Sequence, residues 1–351
     1  MQSRRVVITG LGTVNPLGNS VDETWKSLLE GRSGIGKITR FDASHLPTQI
    51  AGEVKNFDYT EYFEGDMLKN AKRMDLFCHY AAAAAAEAAE QAGLEGLTER
   101  NRIGVSLGSG IGGLNVSHEN SVNLATKGAR RVSPFYIPMS IGNMASGVVS
   151  ILHGITGPNI SLQTACATGN HSVACGMMII QSGMADVMLT GGAEGTVNEL
   201  ALAGFGNMRA ISTRNDSPET ASRPYDADRD GFVLSEGAAV LVLEEYEHAK
   251  KRGAEILCEV LSCGMSGDAY HFVAPDPEGK GAALAMQMAV EQACFPVENI
   301  GYINTHGTST PAGDIAELEG VYNLIKGSVA NTHVGSTKSY HGHLLGATAA
   351  L

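Results

Sequence analysis

Short β-branched runs alternate with alanine- and methionine-rich stretches along this whole chain, and that alternation limits its fold more than any other feature. The runs fall at 6–9, 102–106, 187–190, 239–243, 256–261 and 300–304. Strands separated by helices need crossover connections, which build mainly parallel or mixed sheets covered by helices: an α/β architecture. The clearest helix is expected from about residue 74 to 91, where positions 81–86 are all alanine and allow close packing between layers. The charged stretch 244–253 reads as a helix that closes on Gly253 behind a basic run, as the helix dipole favours. It marks a coarse boundary between an N-terminal half, 1–253, and a C-terminal half, 254–351.

With 351 residues, 43% of them hydrophobic, the chain can bury a large core in two closely packed halves. Six cysteines are too few for a disulfide scaffold, and none stands in a CxxC or at zinc-ligand spacing. A reducing, cytoplasmic location and no bound metal are expected. The basic start is followed only by a short β-branched run before Gly10, which reads as a buried strand and not as a signal peptide. No stretch has the unbroken apolar length of a membrane span. A net charge of -12 opposes general nucleic-acid binding, so an acidic partner would need a local basic patch. Residues 343–351 look like a helix just beginning without closing signals, so the chain is expected to stop inside an element.

Cys166 lies in Thr164-Ala-Cys-Ala-Thr-Gly169, small residues followed by a helical run from 171 to 182. A thiol at a helix N-terminus feels the positive end of the dipole, which is expected to lower its pKa and make it a nucleophile. The other five cysteines read as structural, the commoner fate of a free thiol. His306 follows the run at 300–304 and precedes Gly307, Thr308, Ser309 and Thr310, so it is expected at the C-terminal end of a strand, where α/β folds place their sites. His343 stands between Gly342 and a Leu-Leu-Gly helix start, with Lys338 five residues before it and His341 as a decoy beside it. A cysteine can hold an acyl group as a thioester, and two imidazoles can stabilise an enolate on a second thioester. Carbon–carbon bond formation fits this set.

Three motifs are set aside. Gly10-Leu-Gly12-Thr-Val-Asn15 has asparagine where a dinucleotide fingerprint needs its third glycine. Gly108-Ser-Gly110-Ile-Gly112-Gly113 lacks the Lys-Ser/Thr ending of a phosphate loop and reads better as close approach of backbone to a ligand. Asp226-Ala-Asp228-Arg-Asp230-Gly231 opens like a calcium loop, but Gly237 occupies its twelfth position; an acidic turn ahead of a strand at Val233 is expected instead.

The Cys166 hexapeptide, Asn304-Thr-His-Gly-Thr-Ser-Thr-Pro-Ala-Gly-Asp314, and Ser336-Thr-Lys-Ser with Gly342-His-Leu-Leu-Gly-Ala347 together resemble the beta-ketoacyl-[acyl-carrier-protein] synthases of fatty-acid synthesis. The resemblance runs from Arg4 to the last residue. The segments beginning Ser222-Arg-Pro-Tyr and Ser266-Gly-Asp-Ala-Tyr-His point to the type II elongating enzymes. It implies a thiolase-like, five-layered αβαβα fold of two similar halves, a homodimer, and no cofactor or metal. Cys166 would accept the acyl group, His306 and His343 would bind the malonyl thioester and promote decarboxylation, and Lys338 would support them electrostatically. Ile111 matches a position facing the acyl pocket, Phe205 one near its entrance, and Thr308 and Thr310 positions that bond the pantetheine arm. Lys69, Lys72, Arg73, Arg130, Arg131 and Arg209 match the surface that meets acyl carrier protein. Family members continue several dozen residues past the position of Leu351, through a Gly-Phe-Gly-Gly-Thr-Asn loop, so the second half is expected to be incomplete. The rival readings are a non-catalytic dimerisation or carrier-protein-binding subunit and a polyketide-type ketosynthase.

Overall fold

The first strand carries Gly10 and Gly12 because a helix lies against it with no room for side chains. A β-carbon on Gly12 would stand 2.0 Å from the Ala84 carbonyl oxygen, and one on Gly10 2.2 Å from that of Ala88. The computed structural model describes residues 4–325 and 332–351. Its strands are β1 (Val6–Val14), β2 (Gly36–Lys37), β3 (Ile50–Ala51), β4 (Ile103–Gly108), β5 (Asn159–Ile160), β6 (Val187–Glu194), β7 (Gly237–Glu245), β8 (Cys258–Val260), β9 (Tyr302–Asn304) and β10 (His333–Gly335). Six of them form one sheet in the order β5-β4-β6-β7-β1-β8. β4 runs parallel to β5 and β6, whereas β7 is antiparallel to β6 and β1. The sheet is mixed, as the alternating pattern allows.

Both faces of this sheet are covered, which is why its central strands are apolar without a polar side. All eight residues of β6 are buried. Val187 and Leu189 face a core shared with the alanines of the helix Leu76–Gln91, while Met188 points the other way, to Met177 and Ile180 of the helix Thr168–Gln181. The Leu76–Gln91 helix begins two residues later than the composition suggested because the Asp75 side chain caps it, accepting from the Leu76 amide.

The boundary region also differs in detail. Glu244 and Glu245 end β7, and the helix covers only Tyr246–Arg252, with Gly253 left-handed at φ 72° behind it. Glu244 is fully buried because Thr9, His248 and Arg252 surround its carboxylate. The strand expected at Val233 is replaced by isolated bridges, Ile211 to Phe232 and Leu234 to His343, and regular pairing starts at Gly237.

In the C-terminal part, β9 and β10 pair in parallel, and the helices Lys280–Ala293 and Pro311–Ile325 pack closely on each other. The segment after Gly342 then enters the N-terminal half. His343 N donates to Val233 O at 2.8 Å, and Ser235 N to His343 O at 2.9 Å. A 3-10 turn, Leu345–Ala350, follows against β6. Among the described residues, no helix is long and apolar enough to cross a membrane.

Candidate active site

Cys166 is presented by a tight turn between β5 and the helix Thr168–Gln181. Ala165 takes a left-handed φ of 51°, and the Thr164 amide donates to the Thr168 hydroxyl at 2.9 Å, so the chain doubles back just ahead of the helix. The glycine run 108–113 makes room for this crowding. A β-carbon on Gly108 would meet Thr168 Cγ2 at 2.2 Å, and one on Gly113 would meet the Met139 carbonyl oxygen at 2.3 Å. The close approach is of protein to protein.

His343 Nε2 lies 3.0 Å from Cys166 Sγ, and its Nδ1 lies 3.1 Å from the Thr348 hydroxyl. The ring is fixed on both sides by edge-to-face contacts, with His306 at 5.3 Å and Phe232 at 5.3 Å between centroids. Phe205 packs on Phe232 in turn, also at 5.3 Å, and with Cys166 borders the apolar cluster that includes Phe232 and Leu345. Cys166, His306 and His343 therefore converge, as the sequence suggested.

His306 leaves the end of β9 and is held through its backbone. Glu317 accepts the His306 amide and, at 2.7 Å, that of Gly307. Tyr225 donates its hydroxyl toward the same carboxylate at 3.1 Å. Asp314, three residues before Glu317, accepts from Ser309 N and Tyr225 N and pairs with Arg229 at 3.4 Å. Sequence reasoning missed Glu317, Asp314 and Tyr225. The available signal was Pro311, which can open a helix and so turn acids at Asp314 and Glu317 back toward the preceding loop.

The electrostatics differ from expectation at the nucleophile. Burial pushes the Cys166 thiol up to about 11, and the nearby Lys338 charge only partly offsets this. The low-pKa thiol expected from the helix dipole is thus corrected: desolvation of the thiolate is the largest influence on it. Lys338 is buried too, with Nζ 3.5 Å from Thr305 O, and burial lowers its pKa to about 8. Burial and then the charges of its neighbours hold His343 well below the ordinary histidine value. His306 is lowered by the crowding around its ring and then by Lys338, although one edge meets solvent and moderates the effect. Both imidazoles are neutral near pH 7. His341 stays outside the site, its two nitrogens occupied by Gly342 O and the Thr337 hydroxyl.

Cys166, His306 and His343 have ligand atoms within 4.8 Å of one another, close enough for a soft cation, but the Lys338 ammonium opposes added positive charge there. The Asp226 turn is braced by Arg223 and Arg229, which do what a cation would do.

The remaining candidates are placed as follows. Thr308 and Thr310 touch through their hydroxyls at 3.1 Å and line, with His306 and Glu317, an open cavity of about 410 Å³. Ile111 is partly exposed on the loop after β4. Lys69, Lys72, Arg73, Arg130, Arg131 and Arg209 are all exposed. The Arg73 guanidinium lies 4.5 Å over the Phe135 ring, which sets it beside the segment of Arg130 and Arg131; Arg209 stands on another segment, after the helix Glu199–Asn207.

Comparison with known proteins agrees along the whole chain. The family described as Beta-ketoacyl synthase, N-terminal domain, matches residues 3–249, and Beta-ketoacyl synthase, C-terminal domain, matches 257–351. The chain is 52% identical over 351 residues to a 3-oxoacyl-[acyl-carrier-protein] synthase 2 from Vibrio harveyi, covering 99% of this chain and 83% of that protein. It is 47% identical to the protein of the same name from Synechocystis, again covering 99% and 83%. Among solved structures, a beta-ketoacyl synthase from Burkholderia phymatum matches with a TM-score of 0.89 at 34% identity, over 99% of this chain and 84% of that one. A type II polyketide ketosynthase in complex with its acyl-carrier protein matches with a TM-score of 0.89 at 29% identity, over the same shares.

Proposed function

Because the chain belongs to the beta-ketoacyl synthase family, we propose that Cys166 holds the growing acyl group while His306 and His343 act on the malonyl thioester that extends it. The protein is a condensing acyltransferase of fatty-acid elongation with the thiolase-like fold, and its product is a beta-ketoacyl group on acyl carrier protein. The observation that carries the residue assignment is the meeting of one thiol and two neutral imidazoles beside a buried lysine.

In the first half-reaction Sγ attacks the thioester carbonyl of the acyl carrier protein. The thiol is protonated at rest, so its proton passes to His343 Nε2, 3.0 Å away, and from there to the departing carrier thiolate. The acyl–S bond to the carrier breaks as the bond to Cys166 forms. In the second, His343 moves its single ring proton from Nδ1 to Nε2, and malonyl carrier protein places its thioester carbonyl oxygen at the two imidazoles, whose N–H groups stabilise the enolate left when the bond to the carboxylate breaks and CO2 departs. The enolate carbon attacks the acyl carbonyl, and the C–S bond to Cys166 breaks to release the thiolate, which takes a proton from water to regain the resting thiol. Lys338 favours the neutral form of both histidines and adds positive potential where negative charge develops.

Acyl carrier protein is acidic, and the six exposed cations supply the basic surface for it. Thr308 and Thr310 bond the pantetheine arm in this reading, which their position at the cavity beside His306 supports. Ile111 faces the acyl chain, and Phe205 stands near the pocket entrance. A homodimer is supported by β5, an edge strand with apolar neighbours in the open: Ile137, Ile141, Ile151 and Ile160 are all exposed. A cytoplasmic location is supported by six free cysteines.

The test is intact mass after incubation with acyl-loaded carrier protein. A thioester adduct that is absent in Cys166→Ala is expected; an adduct that survives the substitution overturns the assignment of the nucleophile.

A further inference from the structure

Glu194 closes β6 with no accessible surface, and all its hydrogen-bond partners are uncharged. Oε1 accepts from the Ser109 hydroxyl at 2.9 Å and the Ile111 amide at 3.3 Å. Oε2 accepts from the Gly110 amide at 2.8 Å and the Gly346 amide at 3.0 Å. One carboxylate therefore fastens two separate pieces of chain. The first is the loop after β4 that carries Ile111; the second is the turn that follows His343.

Those two pieces touch directly. A β-carbon on Gly346 would stand 2.4 Å from Gly110 N, and one on Gly192 would stand 2.3 Å from Gly346 O, so the turn is wedged between the loop and β6. Leu345, next to Gly346, belongs to the apolar cluster that Cys166 borders. A carboxylate is the side chain that can satisfy donors at both oxygens; an amide has an acceptor at only one end. Leaving the part-buried Gly110 amide and the buried Gly346 amide without an acceptor would open the wedge.

We propose that Glu194 is a positioning residue for the acyl half-reaction: by holding Ile111 and Leu345 in register with Cys166, it sets which acyl chains the enzyme accepts and how fast they reach the sulfur. Glu194 does not touch substrate. The inference rests on the reading of Cys166 as acyl acceptor and Ile111 as a residue facing the acyl chain. It weighs more on the acyl half-reaction, because His306 hangs from Glu317 and the His343 backbone is held by Val233 and Ser235, all on other segments.

The experiment compares wild type, Glu194→Gln and the milder Ser109→Ala, which removes one hydrogen bond to Oε1. Acylation of Cys166 is followed by intact mass with short- and long-chain acyl carrier proteins, and CO2 release from malonyl carrier protein is measured separately. Glu194→Gln is expected to slow acylation on the order of ten- to a hundredfold, as misplaced reacting groups do. It should also change the ratio of short- to long-chain rates while CO2 release stays near the wild-type rate, with Ser109→Ala showing the same pattern more weakly. Equal loss of both half-reactions in the two variants overturns the proposal, since that is what general damage does. A wild-type thioester with acylation rates and chain-length ratio unchanged in Glu194→Gln overturns the Glu194 inference alone. Wild type that forms no thioester on Cys166 overturns the acyl-acceptor reading and the inference with it.

Discussion

His343 touches the Cys166 sulfur through Nε2 at 3.0 Å, while His306 makes no hydrogen bond to it, lies edge-to-face against His343 and is suspended from Glu317 by its backbone. The two imidazoles are therefore unequal partners of the thiol. His343→Ala should slow both acylation and condensation, on the order of a hundredfold or more for loss of a proton acceptor. His306→Ala should leave acylation near the wild-type rate and lower malonyl decarboxylation. Single-turnover acylation and CO2 release measured side by side decide this; a His306 variant that loses acylation as severely as the His343 variant contradicts the division.

The thiol itself gives a second check. Burial raises Cys166 to about 11, so the reactive thiolate is scarce at neutral pH and its population grows with each step of alkalinity. The rate of alkylation by iodoacetamide should still be rising above about pH 9, where an ordinary thiol near 8.5 has begun to level off. A plateau near neutral pH would mean that the helix dipole and Lys338 outweigh desolvation.

Lys338 makes activity and stability move in opposite directions. Its folded pKa is lowered to about 8 from the ordinary 10.5. Below about 8 the lysine is charged in both states and the cost of burying that charge is present in full. From there up to the ordinary lysine value the unfolded chain binds the additional proton, so the contribution of this group to stability improves as pH rises. Activity should fall through the same range because the ammonium is lost. Relative to Lys338→Met, wild type should lose its rate advantage and gain stability between about pH 8 and pH 10. A rate advantage that persists undiminished through that range would remove the charge from the mechanism.

Tyr225 acts on the site at second hand. Its hydroxyl lies 2.5 Å from the Thr305 hydroxyl and 3.1 Å from Glu317, whose carboxylate carries the amides of His306 and Gly307. Tyr225→Phe keeps the ring and removes that brace at a stability cost of about 1 kcal/mol. The expected signature is a lower kcat for malonyl decarboxylation with KM for malonyl carrier protein little changed and acylation intact. Unchanged kcat would leave the hydroxyl a purely local bond.

How much of this was legible beforehand depended on the range of the information. Strand positions, the alanine helix and the reactive triplet were readable because each is carried by local residue type: β-branched runs, small residues, and glycine beside Cys166, His306 and His343. The carboxylates were not, because Glu194, Asp314 and Glu317 acquire meaning only from amides brought to them by remote segments. The thiol was misjudged for the same reason. A dipole can be inferred from a helix start, but desolvation is set by the packing around it, including Leu345 from far along the chain. At 108–113 the glycines also make room for Thr168 and Met139, neighbours that local residue type does not name.

The same logic makes Gly12 a test of the fold apart from the chemistry. Its β-carbon, if present, would stand 2.0 Å from the Ala84 carbonyl oxygen and 2.8 Å from the Ala88 amide nitrogen. Both obstacles are helix backbone, which cannot turn aside as a flexible side chain can, so the helix must lift from β1 along the alanine face. Gly12→Ala should therefore destabilise the chain by about 1–3 kcal/mol, the usual range for overpacking a tight core. Gly96→Ala, where an added β-carbon meets nothing within 4 Å, should be far milder. Urea denaturation of both variants reads the difference directly. Equal stability of the two would mean that the helix and β1 can separate at little cost, and that the close layer contact is not what holds this sheet to its cover.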